Sequence, residues 1–479
     1  MNNDIHHPPS RRVWMQSICR GLSGIALSEM IAGTLPAYAQ QEGGSGMHGS
    51  GMHGILAEPH LPPRVKRVIF LFMHGGPSHI DTFDYKPELA RLHGQPLPIP
   101  KPRIQFAQTG NLMQSPWGFR QYGECGAWVS DLFPEVAQHV DRLTFIKSLH
   151  GSNEAHGGAL LKIHTGSDTF VRPSMGAWIS YGLGTENENL PSFVTINPTL
   201  GHGGVRNFGS AFLPPIHQGT RIAGSGGQSK IENLVPTVSS QTQRLQLDWL
   251  RDIDRHHQQK TTDEDAAVAA IESRQQTFEL AFRMQSEAIE RFRTEDETQE
   301  TLALYGINGG TTDGFGRQCL LARRLSEAGV RFVQVSHAYW DQHAELKEKH
   351  KELAAQVDRP IAGLLSDLAR RGLLEETLVM WGGEFGRTPT AQGDNGRDHN
   401  PHAFTWWFAG AGVRPGISYG ASDDFGFYAQ QEKVHVHDLH ATLLHLLGID
   451  HERLTYRYGG RDFRLTDVHG TVVRDILKT

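Results

Sequence analysis

The chain has 479 residues, 38% of them hydrophobic, with 46 basic residues against 52 acidic, 27 histidines and a net charge of −6. That length suits one large α/β domain with insertions, or two domains. Acids and bases are interspersed, which leaves no electrostatic basis for binding nucleic acid or an anionic membrane.

At the start of the chain, residues 10–15 read Ser-Arg-Arg-Val-Trp-Met, a twin-arginine pattern, followed by a weakly apolar stretch and the small-x-small site Ala37-Tyr38-Ala39. Residues 1–39 therefore read as a signal peptide and the protein as exported, periplasmic or extracellular. An ordinary secretion leader is the alternative. Gly21, Gly24 and Gly33 interrupt the apolar stretch, which argues for release rather than a membrane span in the mature chain. Residues 40–63, rich in Gly, Ser, Met, His and Pro, read as a flexible linker, and residues 64–479 as a single domain. Cys125 and Cys319 are too few for a thiolate zinc site, while an export compartment permits a disulfide between them.

The domain opens with the apolar run 68–73, which ends at His74-Gly75-Gly76 and predicts a strand buried on both faces. A helix is expected over 131–140 and a strand over 143–149. The polar segment 150–156 then runs into a small-residue helix, whose N-terminus suits an anion. A helix over 173–183, a strand over 193–196 and Gly-rich loops over 201–227 follow. Residues 263–304 read as a helical insertion with Phe278, Phe282, Ile289 and Phe292 on one face. Helices over 315–328, 346–371 and 436–448 alternate with strands over 330–336, 377–381 and 404–409, implying a mainly parallel sheet with right-handed crossovers.

Three strings beside those strands carry the chemistry: WDQH (residues 340–343), EFGRTP (384–389) and GRDHNPH (396–402). Strand ends facing one crevice are where α/β sheets build sites, and carboxylates with imidazoles suit zinc, manganese or iron. Asp341 and His343 read as metal ligands, with a helix-capping pair as the alternative. Glu384 reads as a ligand, or as the partner of Arg387 or Arg397. His399 is a ligand oriented by Asp398, with His402 nearly its equal. His156 is open between ligand, acid or base, and core histidine. Asp81 reads as a ligand. Arg387 and Arg397 either grip a substrate oxyanion or pair with a buried carboxylate. His437 and His440 sit among leucines and read as packing residues.

The strings GGPSHIDTFDYKP (75–87), SNEAHGGALLKIHTG (152–166), WDQH, TLVMWGGEFGRTP (377–389) and GRDHNPHAF (396–404) resemble the domain-of-unknown-function 1501 family, in that family's order and over residues 65 to about 449. The family is similar to the alkaline phosphatase and sulfatase superfamily. The resemblance implies an α/β fold, an alkaline-phosphatase-like three-layer sandwich with a mainly parallel central sheet and a helical insertion. It also implies an exported hydrolase of phosphate or sulfate esters, on small molecules or glycans, using a divalent metal, zinc or manganese. Asp341 and His343 resemble the acid and histidine of one metal half-site, Glu384 the acid after the next strand, and His399 the closing histidine. Two departures stand out. His74 occupies the place nearest the superfamily's first acid, with Asp81 a few residues on. Counting back from Thr165-Gly166, the nucleophile position falls at His156, with Ser152 the nearest hydroxyl. Without a covalent nucleophile, metal-activated water must attack directly; no Cys-x-Pro-x-Arg sulfatase motif lies near residue 152. The expected site is thus Asp81, Asp341, His343, Glu384 and His399 around metal, with His156 and Arg387 catalytic. The rival reading is a non-catalytic exported binding protein for a glycan or protein on a degraded site.

Overall fold

The computed structural model describes residues 54–100, 110–225, 228–230, 236–258, 265–294 and 296–479. The signal-peptide reading and most of the linker lie outside these residues. The last ten linker residues do not hang free: the Ile55 and Leu56 N–H groups donate to the carbonyls of Tyr181 and Gly182 (2.8 and 3.1 Å), and the Leu61 N–H to that of Gly448 (2.9 Å).

The run that opens the domain forms β1 (Arg67–Met73), and its alternation divides the core in two. Ile69, Leu71 and Met73 face one apolar cluster, while Val68, Phe70 and Phe72 face the other. A strand packed on both faces sits at the centre of a sheet. β1 is flanked in parallel by β5 (Phe332–His337) and β6 (Thr377–Gly382). Beyond β5 come β3 (Phe193–Ile196) and β4 (Thr220–Ser225), both parallel. Beyond β6 lies β9 (Phe404–Gly410), antiparallel, then β2 (Leu143–His150), which runs with β1 again.

Helices cover both faces, as the three-layer expectation requires. On the first face lie α5 (Asp313–Glu327) and α6 (Leu346–Arg370), with Leu320, Val357, Ile361 and Leu364 in the core. On the second lie α1 (His156–Thr165), α2 (Met175–Leu183) and α7 (Val436–Leu446). The segment 263–304, expected as a helical insertion, contains α4 (Asp265–Phe292), which pairs with a preceding helix, α3 (Ser240–Gln258), through Arg244 and Glu279. Phe278 is buried there, and the Arg244 guanidinium lies over the Phe282 ring at 5.2 Å; the side chains of Ile289 and Phe292 are outside the described residues.

Two local expectations change. Residues 131–140 are not an α-helix; a turn there leads into a 3-10 helix over Val136–Arg142. Pro134 lacks an N–H and disfavours helical backbone before it, and the Asp358 carboxylate instead accepts the Glu135 and Val136 N–H groups (2.9 and 2.8 Å). The segment between β6 and β9 is a hairpin of β7 (Gly386–Gln392) and β8 (Gly396–Asn400), in which Arg387 faces His399 across the ladder.

Cys125 is exposed and Cys319 buried, both as free thiols, so they form no disulfide. Among the described residues no helix is long and apolar enough to cross a membrane. His437 and His440 are buried, with Nε2 on the carbonyls of Gly166 and Ile163 (2.7 Å each), as packing residues.

Candidate metal centre

The parallel strands β1, β5 and β6 end at one edge of the sheet, and the loops after them deliver His74, Asp341 with His343, and Glu384. α1 begins at the same edge with His156 in its first turn. Because β9 is antiparallel, its N-terminal end lies at this edge too. That is why His399, just before β9, joins residues that follow their strands.

Six donors form a continuous chain. Glu384 Oε1 lies 2.7 Å from His156 Nδ1. His156 Nε2 lies 3.1 Å from Asp341 Oδ2, at ion-pair distance but without hydrogen-bond alignment. Asp341 Oδ1 is 2.9 Å from His343 Nε2 and 3.1 Å from His399 Nε2, and those two nitrogens are 3.0 Å apart. Asp398 Oδ1 sits 3.8 Å from His343 Nδ1. The groups fall into three overlapping triads, each able to surround one ion: His74, His156 and Glu384; His156, Asp341 and His399; His343, Asp398 and His399.

The partners behind these atoms fix what each presents. His399 Nδ1 is 2.6 Å from the Glu154 carbonyl, and His343 Nδ1 meets the Gln392 side-chain carbonyl. Carbonyl oxygens only accept, so both Nδ1 atoms carry the hydrogen and both neutral rings turn an Nε2 lone pair inward. Two lone pairs and a carboxylate oxygen about 3 Å apart repel one another unless a positive centre, a proton or a metal ion, lies among them. His74 Nε2 and Asp398 Oδ2 are also buried there without hydrogen-bond partners, and buried polar atoms are rarely left so. Imidazole nitrogens with carboxylate oxygens are the donor set of zinc, manganese or iron. The residues present therefore fit a metal.

The charges in the cluster compensate one another. Burial pushes the His156 imidazolium down, but the carboxylates of Asp341 and Glu384 against its two nitrogens raise it to about 9. Burial would raise Asp341, yet the His156, His343 and His399 rings and the Arg387 guanidinium hold its carboxyl far below the usual range. His343 is raised, chiefly by Asp341, whereas burial lowers His74 and His399. Glu384 stays ionised despite full burial because His156 and His74 face it, and both its oxygens also accept the Gly75 N–H (3.0 and 3.1 Å). Gly75 has φ +115°, and a Cβ there would lie 2.7 Å from Trp340 N and 2.8 Å from Asp341 N. Only glycine lets β1 and the Asp341 loop approach so closely.

Two expected site residues prove to be elsewhere or otherwise engaged. Asp81, read as a ligand, is fully buried against Arg397, which donates Nε to Oδ2 (2.7 Å) and Nη2 to Oδ1 (3.2 Å). Ser78 Oγ donates to the same carboxylate. Arg387, read as catalytic, is fully buried and engaged by protein groups on each of its nitrogens. Its Nε donates to the Gly76 carbonyl (2.9 Å), its Nη1 to that of Arg397 (3.2 Å), and its Nη2 to those of Gly75 and Trp340 and to Asp341 Oδ1 (2.7 Å). It therefore positions Asp341. His402 packs on Phe427 and Tyr428, outside the donor chain. Ser152 Oγ bonds Asp168 (3.2 Å) and belongs to none of the triads.

His74, Asp398 and His202 were not expected as participants. His202 comes from the Gly-rich loop after β3, and its ring stacks 5.0 Å from that of His156. Its flanks, Gly201, Gly203 and Gly204, are the one sequence signal that could have drawn attention to it.

The Asp81–Arg397 assignment has a direct test. Replacing Asp81 with Ala leaves a guanidinium buried without its counter-charge, which costs about 3–5 kcal/mol. The thermal midpoint should fall by several degrees, with part of the loss recovered in the double variant Asp81→Ala, Arg397→Met. Metal content per folded molecule should stay at the parent's value; loss of metal with unchanged stability would return Asp81 to the ligand set.

The family described as Protein of unknown function (DUF1501) matches residues 65–477. No curated protein matches the chain. Among solved structures, the chain is similar to the lipoteichoic acid synthase LtaP from Listeria monocytogenes at 9% identity, over 85% of this chain and 76% of that one, with a TM-score of 0.37. It is similar to the PsFucS1 sulfatase from Pseudoalteromonas sp. at 13% identity, over 81% and 69%, with a TM-score of 0.33. It is also similar to the alkaline phosphatase of the Antarctic bacterium TAB5 at 11% identity, over 76% and 96%, with a TM-score of 0.29. Likenesses this distant carry no residue roles across.

Proposed function

Since the chain belongs to the DUF1501 family, which has no assigned chemistry, we propose its function from the donor chain: a metal-dependent hydrolase of phosphate or sulfate esters, with zinc or manganese at the centre. The single observation that carries this reading is the pair of buried, unpartnered atoms His74 Nε2 and Asp398 Oδ2, converging with His156 and with the facing Nε2 atoms of His343 and His399.

A metal in such a centre would activate water and neutralise charge on the ester's oxygens. The chain's own residues do the rest. His343, His399, Asp341 and His156 would hold the ion, with His74 and Glu384 forming the inner end of the set. Arg387 fixes Asp341 from behind, and the Glu154 carbonyl and Gln392 fix the two histidine rings. Glu384 binds the Nδ1 side of His156, which keeps Nε2 turned toward Asp341 and the centre. With no hydroxyl in any triad, direct attack by water fits better than a covalent intermediate. Export by way of residues 1–39 belongs to the same proposal and is tested by fractionating cells that make the full chain.

The test is metal content by mass spectrometry on the folded protein, with Glu384→Gln and His343→Ala desalted alongside and all three assayed on nitrophenyl phosphate and sulfate. Near-stoichiometric metal in the parent, reduced in both variants together with turnover, is expected. A folded parent that takes up neither zinc nor manganese sinks the hydrolase and leaves the binding protein.

A further inference from the structure

Resting on the metal-centre reading above, we propose that Tyr339 is a stacking platform for the substrate, so that the ester acted on carries a ring, aryl or sugar, on its alcohol side. Tyr339 lies two residues before Asp341 on the loop after β5, and it combines three properties that structural need alone does not explain.

The first is exposure: the side chain is 80% accessible, the most exposed large hydrophobic residue among those described. The second is strain. Its φ is +76°, a left-handed conformation that costs a bulky residue about 1–2 kcal/mol. Buried contacts commonly offset such a cost, and an exposed ring has few. Strain retained without packing in return is a mark of function.

The third is the rigidity of the mount. Trp340, next along, is fully buried, with its Nε1 donating to His337 Nδ1 (3.1 Å) and its backbone N–H to the His74 carbonyl (3.1 Å). The Trp340 carbonyl accepts from Arg387, and the Gln342 amide donates to the carbonyl of Tyr339 itself. With Gly75 pressed against this stretch, the backbone cannot relax. The loop therefore holds the ring out in the open instead of folding it in. Two residues span about 7 Å at most, so the Tyr339 Cα lies within about 7 Å of that of Asp341, close enough for its side chain to reach a group bound at that carboxylate.

The loop that carries His202 over His156 also exposes Leu200 and Val205, at 50% and 42%. An ester whose oxyanion is seated on the donors would then carry its alcohol toward the exposed ring. A flat or CH-rich ring pairs with a tyrosine face in offset stacking; a short alkyl group has too little surface to gain from it.

The experiment uses the full chain loaded with zinc and two ligands it cannot hydrolyse, phenylphosphonate and methylphosphonate, measured by calorimetry. Phenylphosphonate should bind about five-fold more tightly, the worth of one ring contact. Tyr339→Ala should abolish that preference without changing methylphosphonate affinity, while Tyr339→Phe keeps it. Equal binding of both phosphonates to the parent, or a preference that survives Tyr339→Ala, overturns the platform and leaves the hydrolase standing. Zinc uptake with no binding of either phosphonate overturns both.

Discussion

Asp341→Asn is expected to fold, to bind metal at least about a hundredfold more weakly, and to lose turnover to roughly a thousandth of the parent. The geometry sets both halves of that expectation. Among the described residues Asp341 alone has its two oxygens on both arms of the centre, His156 on one side and His343 with His399 on the other. An amide keeps the shape but removes the charge and turns one oxygen into a donor facing imidazoles. Disturbing even the partners that orient metal ligands costs 10–100-fold in affinity, so losing the central carboxylate costs at least that. Folding should survive because Arg387, which loses an anionic partner, keeps four backbone carbonyls as acceptors. Calorimetric titration with zinc, beside circular dichroism, checks both halves. Parent-like zinc affinity in a folded Asp341→Asn would remove Asp341 from the centre.

The second large effect is acid lability. His164, His217, His350 and His440 are deeply buried, and burial lowers their imidazolium to about 4, 3, 3 and 3. Each accommodates a neutral ring: His350 Nε2, for example, accepts the Ser78 N–H at 3.1 Å. In the unfolded chain these rings take a proton near pH 6.5, whereas in the folded chain they do so only near 3 to 4. Their contribution is therefore complete above pH 6.5 and is lost as pH falls toward 4. The loss is about 1.4 kcal/mol per pH unit for each ring, roughly 5–6 kcal/mol per unit for the four. That is comparable with the whole stability of an ordinary domain. The thermal midpoint should collapse between pH 6 and 4.5. His350→Gln, which keeps an acceptor but cannot titrate, should reduce the slope by about a quarter. A midpoint flat from pH 7 to 4.5 would show that these rings carry protons in the native state.

Much of this was legible in the sequence because the signals were local. The run at 68–73 stated its two-sided burial in its composition, and WDQH, EFGRTP and GRDHN stated that acids and imidazoles cluster after strands. What was not legible depended on pairing at a distance. Nothing near Asp81 indicates that Arg397, more than three hundred residues on, takes both its oxygens, so a buried ion pair and a ligand look alike. Arg387 reads as a substrate grip until the backbone carbonyls around it are seen. His74 and His202 were hidden for a different reason: their roles follow from where β1 and the loop after β3 end, which is a matter of sheet order. Strand β9 shows the same effect. Its antiparallel direction, invisible in a strand–helix alternation, is what brings His399 to the edge where the other donors lie.

The spread of the donors along the chain has a consequence for synthesis. His74 and His156 emerge early from the ribosome, Asp341 and His343 late, and Glu384 and His399 only with the hairpin that completes the sheet. A partly made chain holds no complete triad, because each of the three needs a residue from the last third. Capture of an ion by either triad that includes His156 is therefore a timestamp: it records that early and late segments of the polypeptide have docked.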